Sequence, residues 1–284
     1  MILVIAVDAQ HGWKETLSYW GEVPPTILAS ALILFALSHV IRAYRIYELV
    51  FSNQKVRFLG VAKISAWHQF ANNLLPMRLG EAVFPLLLKH HFGRSWSHGF
   101  AKLIWLRLLD MAVIGIVIGV VILLVSPPLV CFGLIALGIA CLIFALYFGK
   151  HLLKLPLISK VSAPFIEASP KSFGLGLRLT FWTALAWFCK LTALTLIIRA
   201  VLPVPFAMAL AGQVGAELSG ILPVSGFAGA GSFEAAFWAG ASLFGTPNDE
   251  LFALAVNTHI FVLASTTLVA LFLSPVRVNV HARP

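Results

Sequence analysis

Five long apolar stretches restrict the fold of this chain more than any other feature. Each is about 20 residues or longer, the length at which an α-helix crosses the hydrocarbon core of a bilayer. Only 11% of the 284 residues are charged and 60% are hydrophobic, which excludes an ordinary soluble domain. The stretches are residues 26–47, 99–125, 129–149, 173–198 and 251–273. We therefore predict an all-α, polytopic integral membrane protein with a single transmembrane domain over residues 1–284.

Two further stretches, 56–92 and 203–245, are apolar but interrupted by polar residues, proline and glycine. The interruptions are Asn72, Asn73, Pro76 and Gly80 in the first stretch and Pro223, Gly226, Gly229 and Gly231 in the second. Paired breaks of this kind are typical of re-entrant or discontinuous helices in transporters. We predict that each stretch forms a broken, re-entrant helical hairpin. The alternative is that both are ordinary spans with a kink.

The distribution of basic residues favours the hairpins. If each hairpin returns to the side from which it enters, most Lys and Arg residues lie on one side of the membrane, as the positive-inside rule requires. Residues 26–125 and 173–273 then form an inverted repeat, joined by a helix at 129–149. The two hairpin tips are predicted to meet near the middle of the bilayer. We expect the inner membrane of a prokaryotic cell.

A glutamate stands near the end of a similar motif in each broken stretch, Glu81 in the first and Glu234 in the second. Each motif reads two aliphatic residues, proline, glycine, glutamate and then phenylalanine, with spacers of different length. An ionised group in hydrocarbon costs several kcal/mol, so such residues usually face a protein interior or a wet cavity. The paired motifs predict a polar site between two halves of a membrane protein.

The first motif predicts a site for an anion. Pro76 suits the first turn of a helix, and a half-helix that begins near Pro76 directs its free N–H groups toward the hairpin tip. Arg78 adds a forked donor suited to phosphate, in a segment that also holds Asn73. Glu81 follows three residues later on the same helix face and pairs with Arg78 when no ligand is bound. The alternative is a permanent Arg78–Glu81 ion pair that only holds the hairpin.

The second motif supplies the counterpart. Its glycines permit backbone turns and the close approach of a ligand, and Ser232 is positioned to cap a half-helix that carries Glu234. Glu217, near the end of the preceding half-helix, adds another acid. The alternative is that the glycines serve tight helix packing. Packing alone requires no carboxylate, so Glu234 is the stronger functional candidate.

Arg107 and Asp110 lie three residues apart within a long apolar stretch and share one helix face. Structural pairing between the two is the favoured role, because buried charges must be matched. The alternative is that they join Arg78 and Glu81 in one network.

Lys190 and two histidines complete the polar groups of the apolar stretches. Lys190 is expected to snorkel or to partner Glu217 or Glu234. His68 and His259 have no partner at metal-ligand spacing. We interpret both histidines as packed polar residues rather than proton relays.

At these positions the chain resembles the lysylphosphatidylglycerol synthase transmembrane, or flippase-like, family, from about residue 26 to 273. The residues that carry the resemblance are Arg42, Arg45, Asn73, Pro76, Arg78, Gly80, Glu81, Arg107, Asp110, Glu217, Pro223, Gly226, Gly229, Gly231 and Glu234. The resemblance implies an integral membrane protein that moves lipids or lipid-linked intermediates between leaflets. Some relatives also carry a soluble aminoacyl-transferase domain, which this sequence lacks, so we expect no synthesis of lysyl-lipid here. The family's usual first helix is expected to be truncated to Met1–Ala9.

Together these patterns predict a flippase-like carrier of an anionic or aminoacylated phospholipid, or of a lipid-linked intermediate. The alternatives are a proton- or ion-coupled transporter of a small anion, an intramembrane enzyme acting on lipid phosphate, and a non-catalytic partner of a lipid synthase or glycosyltransferase. We expect membrane lipids as ligands, no enzymatic activity, and no cofactor, metal or nucleic acid; an oligomer is left open. The predicted headgroup site comprises Asn73, Arg78, Glu81, Arg107, Asp110, Lys190, Glu217, Ser232 and Glu234. The predicted hinges are Pro76, Gly80, Pro223, Gly226, Gly229 and Gly231.

Overall fold

A computed structural model describes residues 12–51, 56–123, 167–220 and 227–278, together with single positions at 7, 8, 136, 138, 139 and 165. Within these residues the chain is helical and has no strand, as predicted. The helices are α1 (Gly12–Ser18), α2 (Pro25–Phe51), α3 (Phe58–Leu74), α4 (Val83–Phe92), α5 (Trp96–Leu123), α6 (Phe173–Val201), α7 (Phe206–Ser219), α8 (Ser232–Ala241) and α9 (Asp249–Leu273).

Four of these helices are long and apolar enough to cross a membrane. They are α2, α5, α6 and α9, with 27, 28, 29 and 25 residues. Their apolar windows are only one third to one half buried inside the protein. Large apolar side chains therefore remain exposed along them, such as Ile33, Phe188 and Leu268. Such faces are suited to contact with lipid, and four of the five predicted spans are confirmed.

Some of the predicted features lie outside the described residues. These are most of the truncated first helix at Met1–Ala9, most of the linking helix at 129–149, and the hinge residues Pro223 and Gly226.

Both interrupted stretches are broken into short helices. The first consists of α3 and α4, joined by a tight 3-10 segment at Pro76–Ala82. The second contains α7 and α8, with 14 and 10 residues. At 1.5 Å per residue these two helices are about 21 and 15 Å long, whereas the hydrocarbon core is about 30 Å thick. The side of the membrane from which each hairpin enters stays a prediction.

The helices pack into two compact units. Unit 1 contains Met1–Ser38, Gln69–Gly80 and Phe188–Val269, and unit 2 contains His39–His68, Glu81–Trp187 and Ala270–Pro284. The core of unit 2 includes the fully buried side chains of Phe84, Leu88 and Trp105. In unit 1, one apolar cluster surrounds Phe237 and another surrounds Phe35 and Phe261. Each unit therefore has its own apolar core, and each carries a set of buried polar groups.

In unit 1, α7 and α8 pack with their backbones in direct contact. A Cβ atom added to Gly240 would lie 2.2 Å from the carbonyl oxygen of Ala211, and one added to Gly215 would lie 2.2 Å from that of Ala236. No side chain fits at those distances, so glycine is required at both positions. These two glycines precede and follow the second motif, as small residues do where membrane helices approach closely.

We expect Gly240→Ala to destabilise the protein by about 1–3 kcal/mol or more, because the added methyl group forces α7 and α8 apart. The measurement is thermal unfolding of the purified full chain in detergent. The matched control is Gly115→Ala in α5, where an added Cβ meets no atom of the described structure within 4 Å. That control should be neutral or stabilising by up to about 1 kcal/mol, because alanine is the better helix former. Equal losses in the two variants would contradict the close packing.

Candidate polar site

Asp110 is the centre of a buried polar network in unit 2. Its carboxylate accepts two hydrogen bonds from Arg45, at 2.6 and 3.3 Å, and one from the indole N–H of Trp187 at 3.2 Å. Asp110 and Arg45 are only 5% and 4% exposed. Arg45 also donates to the hydroxyl of Thr183 at 2.8 Å. These bonds join α2, α5 and α6, so Asp110 holds three membrane-spanning helices together.

Arg107 extends this network from Asp110 to the glutamate of the first motif. Its Nη2 lies 2.6 Å from Oε1 of Glu81, and its Nη1 lies 3.4 Å from Oδ2 of Asp110. The side chains of Arg107 and Glu81 are 26% and 18% exposed, against 7% for that of Asp110. The network therefore has a dry end at Arg45 and Asp110 and an accessible end at Arg107 and Glu81. Arg107 therefore bonds to Asp110, which is the favoured pair, and also to Glu81; the inclusion of Arg78 in the network stays a prediction.

Two further residues of unit 2 flank the network. The guanidinium of Arg42 lies over the ring of Trp187, with its Cζ 4.7 Å from the ring centroid. Nε2 of His68 lies 3.5 Å from Oε2 of Glu81, and its ring also contacts that of Phe84. Three guanidinium groups and two carboxylates are thus gathered in one cluster, a composition that suits an anionic ligand.

Two arginines of the cluster retain unused hydrogen-bond donors. The Nε groups of Arg45 and Arg107 are both buried and have no hydrogen-bond partner in the part of the chain that the structure describes. Buried donors of this kind are uncommon because each costs about 1–3 kcal/mol when unpaired. Arg45 lies at the dry end, so of these two arginines it is Arg107, with a side chain 26% exposed, that can turn a guanidinium donor toward an anion.

The tip of the first hairpin has an unusual backbone in unit 1. Met77 and Arg78 adopt the left-handed conformation, with φ of 53° and 59°. A right-handed helix cannot contain two such residues, and regular helix begins only at Val83. The prediction of a half-helix that starts near Pro76, with Arg78 in its first turn, is therefore wrong.

Gly80 explains why the chain can turn so tightly after Arg78. A Cβ atom at Gly80 would lie 2.4 Å from the backbone nitrogen of Asn72. The returning chain thus runs directly against the end of α3. Glycine is therefore required here by close packing, and the hinge role of Gly80 stays a prediction. The pair predicted between Arg78 and Glu81 stays a prediction, and the ion pairs described for Glu81 are those with Arg107 and His68.

One face of α9 binds a residue from each broken stretch. The side chain of Asn73 donates to the hydroxyl of Thr266 at 3.1 Å, and Glu234 pairs with His259 at 2.7 Å. Residues 259 and 266 lie on the same side of a helix, two turns or about 10 Å apart. Both motifs are therefore anchored on one side of α9 within unit 1. The meeting of the two tips near the middle of the bilayer stays a prediction.

The glutamate of the second motif is buried in the same unit. Glu234 is 1% exposed; its Oε1 lies 2.7 Å from Nδ1 of His259, and its Oε2 accepts a hydrogen bond from the backbone N–H of Gly231 at 2.8 Å. Ser232 was expected to cap α8, but Gly231 occupies the N-cap position. Ser232 instead donates to the carbonyl of Gly229 at 2.9 Å, inside the turn. The carboxylate of Glu234 reaches back one turn and accepts a hydrogen bond from the N–H of Gly231, the N-cap residue of α8.

Two glycines of the second motif, Gly229 and Gly231, serve the turn rather than helix packing. Gly229 and Gly231 have φ of 72° and 87°, a region that other residues rarely adopt. The close contact between α7 and α8 depends on other glycines, including Gly215 and Gly240. For Gly229 and Gly231, the turn interpretation is therefore supported over the packing alternative.

Lys190 pairs with Glu217, one of the two partners predicted for it. Its Nζ lies 2.7 Å from Oε1 of Glu217, and both side chains are largely buried, at 14% and 12% exposed. This pair connects α6 to α7 within unit 1. Glu234 pairs with His259 instead.

Four residues of these networks are not among the site candidates predicted from the sequence. Arg42 and Arg45 entered only through the family resemblance, and the two histidines were interpreted as packed polar residues. One signal was present for the histidines, since each motif glutamate has a histidine elsewhere in its own half of the sequence. The missed residues are Arg42, Arg45, His68 and His259.

We expect Asp110→Ala to destabilise the protein by about 3–5 kcal/mol, because the buried guanidinium of Arg45 loses its carboxylate. The measurement is thermal unfolding in detergent. Asp249→Ala is the matched control, since it removes an exposed aspartate from the first turn of α9. A charge at an exposed helix terminus contributes about 0.3–1 kcal/mol, so the control should change little. If Asp110→Ala unfolds like the control, Asp110 does not hold the helices together.

Comparison of the sequence with known protein families gives a match that covers nearly the whole chain. The family model described as lysylphosphatidylglycerol synthase TM region matches residues 1–270, nearly the whole chain. The comparison with curated proteins gives no match. Four apolar spans and this match make the chain an integral membrane protein with a domain linked to lipid handling. The chain belongs to the lysylphosphatidylglycerol synthase TM region family.

Proposed function

We propose that this protein translocates lipids with anionic headgroups between the two leaflets of a bilayer. The candidate substrates are anionic or aminoacylated phospholipids and lipid-linked intermediates, and the membrane is an inner membrane of prokaryotic type. The observation that carries the proposal is the position of Arg107, which shares its guanidinium between two carboxylates at the accessible end of a buried network.

A phosphate group suits this position for electrostatic and geometric reasons. A guanidinium binds phosphate through two parallel, charge-assisted hydrogen bonds. The guanidinium of Arg107 is already bound to the carboxylate of Glu81. An incoming phosphate therefore has to displace that carboxylate or share the guanidinium with it. Asp110 stays bound to Arg45 during that exchange, so the network keeps its fixed end. Binding is therefore reversible, which a carrier needs and a structural ion pair does not.

The hairpin tips favour a lipid over a small soluble anion. Met77 and Leu79, on either side of Arg78, are 67% and 59% exposed. Phe227, at the start of the second turn, is 65% exposed. A turn that carries a cation between exposed apolar side chains matches an amphiphile with a phosphate and acyl chains. A site for free phosphate or another small anion needs no such apolar surface.

The test is a headgroup-accessibility assay on the full chain reconstituted in phosphatidylcholine vesicles with a fluorescent, nitrobenzoxadiazole-labelled phosphatidylglycerol. Dithionite added outside bleaches only outer-leaflet probe, so complete bleaching reports translocation. We expect Arg107→Gln to slow it about 10- to 100-fold, because a charged hydrogen bond contributes about 1.5–3 kcal/mol. Arg78→Ala should slow it as well.

Arg178→Gln is the matched control, since it also removes one arginine charge but at a position that is 62% exposed. Its rate should equal that of the wild type. If Arg107→Gln and Arg78→Ala also match the wild type, the proposed headgroup site is wrong. Uptake of radiolabelled phosphate without probe movement would favour the soluble-anion transporter, and a change in probe mass would favour a lipid enzyme.

A further inference from the structure

Glu234 and His259 form a pair that the lipid-binding proposal does not use. Glu234 is 1% exposed and His259 is 6% exposed. Both carboxylate oxygens are engaged, one by Nδ1 of His259 at 2.7 Å and the other by the N–H of Gly231 at 2.8 Å. The ring of Phe233 stacks on the imidazole, with centroids 4.2 Å apart and planes at 14°. This pair is therefore enclosed and held in place from three directions.

The charge of this pair depends on one proton. Among the residues that the structure describes, His259 is the one basic side chain within ion-pair distance of Glu234. If Glu234 is ionised and the imidazole is neutral, a net negative charge is left in a dry site, which is costly. One added proton makes the pair neutral overall, and the stacked ring of Phe233 also favours a charged imidazole.

We propose that Glu234 and His259 are the proton-binding site through which lipid movement is coupled to a proton gradient. This inference rests on the proposed function and names its energy source. An anionic lipid with one charge and one proton move together in the same direction, so the transported pair carries no net charge. The proton enters on the acidic side, binds to the pair, and leaves on the alkaline side.

The exchanging proton is located on Nε2 of His259. Nδ1 faces Glu234, whereas Nε2 faces the turn, because a Cβ atom on Gly229 would lie 3.5 Å from Nε2. In both protonated forms of the pair, imidazolium with carboxylate or neutral imidazole with carboxylic acid, Nε2 carries a hydrogen. Without that proton, Nδ1–H donates to Glu234 and Nε2 is bare.

Proton binding is connected to the turn through Glu234. The carboxyl group of Glu234 that bonds to His259 also accepts a hydrogen bond from Gly231, whose φ of 87° forms part of the turn. A change in the charge of the pair therefore changes the strength of the bond that closes the turn. The turn is the element through which the proton acts on the hairpin tip.

The other ionisable groups on the elements packed against this pair are few. α7 carries Glu217, which is neutralised by Lys190 of α6. α9 carries Asp249 and Glu250 in its first turn, about 13–15 Å along the helix from His259. The described residues of the turn, 227–231, carry no ionisable side chain. The first hairpin, whose Asn73 bonds to Thr266 of α9, carries Arg78 in its tip, and α1, whose Thr16 accepts from Asn257 of α9, carries Lys14 and Glu15.

The first motif differs from the second because its glutamate is paired with an arginine. Glu81 also has a histidine nearby, His68 at 3.5 Å, but it already pairs with Arg107 at 2.6 Å. A permanently charged guanidinium removes the need for a proton at Glu81. The first motif therefore suits an anion, and the second suits a proton.

The coupling test imposes a pH difference of one unit across vesicles that contain the full chain and nitrobenzoxadiazole-labelled phosphatidylglycerol. Valinomycin and equal potassium on both sides hold the membrane potential at zero. For one proton per lipid, the probe should accumulate about tenfold in the leaflet facing the alkaline side. Glu234→Gln should bring that ratio close to one. His90→Gln, which changes an exposed histidine, should keep the tenfold ratio.

A second measurement does not depend on transport. The full chain is labelled with 15N-histidine in lipid nanodiscs, and the signals of His259 are assigned by comparison with His259→Gln. In the wild type, Nε2 should carry a hydrogen when the pair holds its proton and lose it as the pH is raised, while Nδ1 keeps facing Glu234. An Nε2 state that does not change with pH over the range in which the protein stays folded would overturn the proton site.

The two measurements separate the two proposals. If the wild type translocates the probe but shows no accumulation under the pH difference, proton coupling is wrong and lipid translocation stands. If Nε2 behaves as expected but no probe moves in any vesicle, the proposed function is wrong and the proton site stands.

Discussion

Charge neutralisation within an apolar helical protein is the constraint on which this structure depends. Asp110 meets it by accepting hydrogen bonds from Arg45 and Trp187, which joins three spanning helices in unit 2. Removing any one charge leaves another buried without a partner, so the set is retained or lost as a whole. The same constraint explains why the accessible end matters. In the proposed site, Arg107 and Glu81 exchange partners while Asp110 and Arg45 stay bound to each other.

The parts of the fold that depend on local sequence were predicted well. A span is a property of about 20 consecutive residues, so α2, α5, α6 and α9 follow from composition alone. Breaks at proline and glycine are also local, and both interrupted stretches are indeed divided into short helices. The pairing of Arg107 with Asp110 follows from their spacing of three residues on one helix.

Partners that are distant in sequence were not predictable in the same way. Arg45 and Asp110 are 65 residues apart, and Glu234 and His259 are 25 apart. No periodicity relates such pairs, because their contact depends on how whole helices pack. The prediction of a half-helix that starts near Pro76 is wrong for a related reason. Proline permits a helix start, but the close approach of Gly80 to α3 requires a tight turn, and Met77 and Arg78 adopt left-handed backbone within that turn.

Backbone strain gives both hairpin tips a common property. Among the described residues, three non-glycine residues have φ in the left-handed region, and all three lie in the tips: Met77, Arg78 and Ala228. Each costs roughly 1–2 kcal/mol, which the surrounding contacts must offset. In the first tip the offsetting contact is the packing of Gly80 against Asn72, and in the second it is the bond between Glu234 and Gly231. In the proposed coupling, the second bond is made by a carboxyl group whose partner, His259, gains and loses one proton. On that proposal, the proton alters the strength of the bond that holds the second turn, without any change in the apolar packing around it.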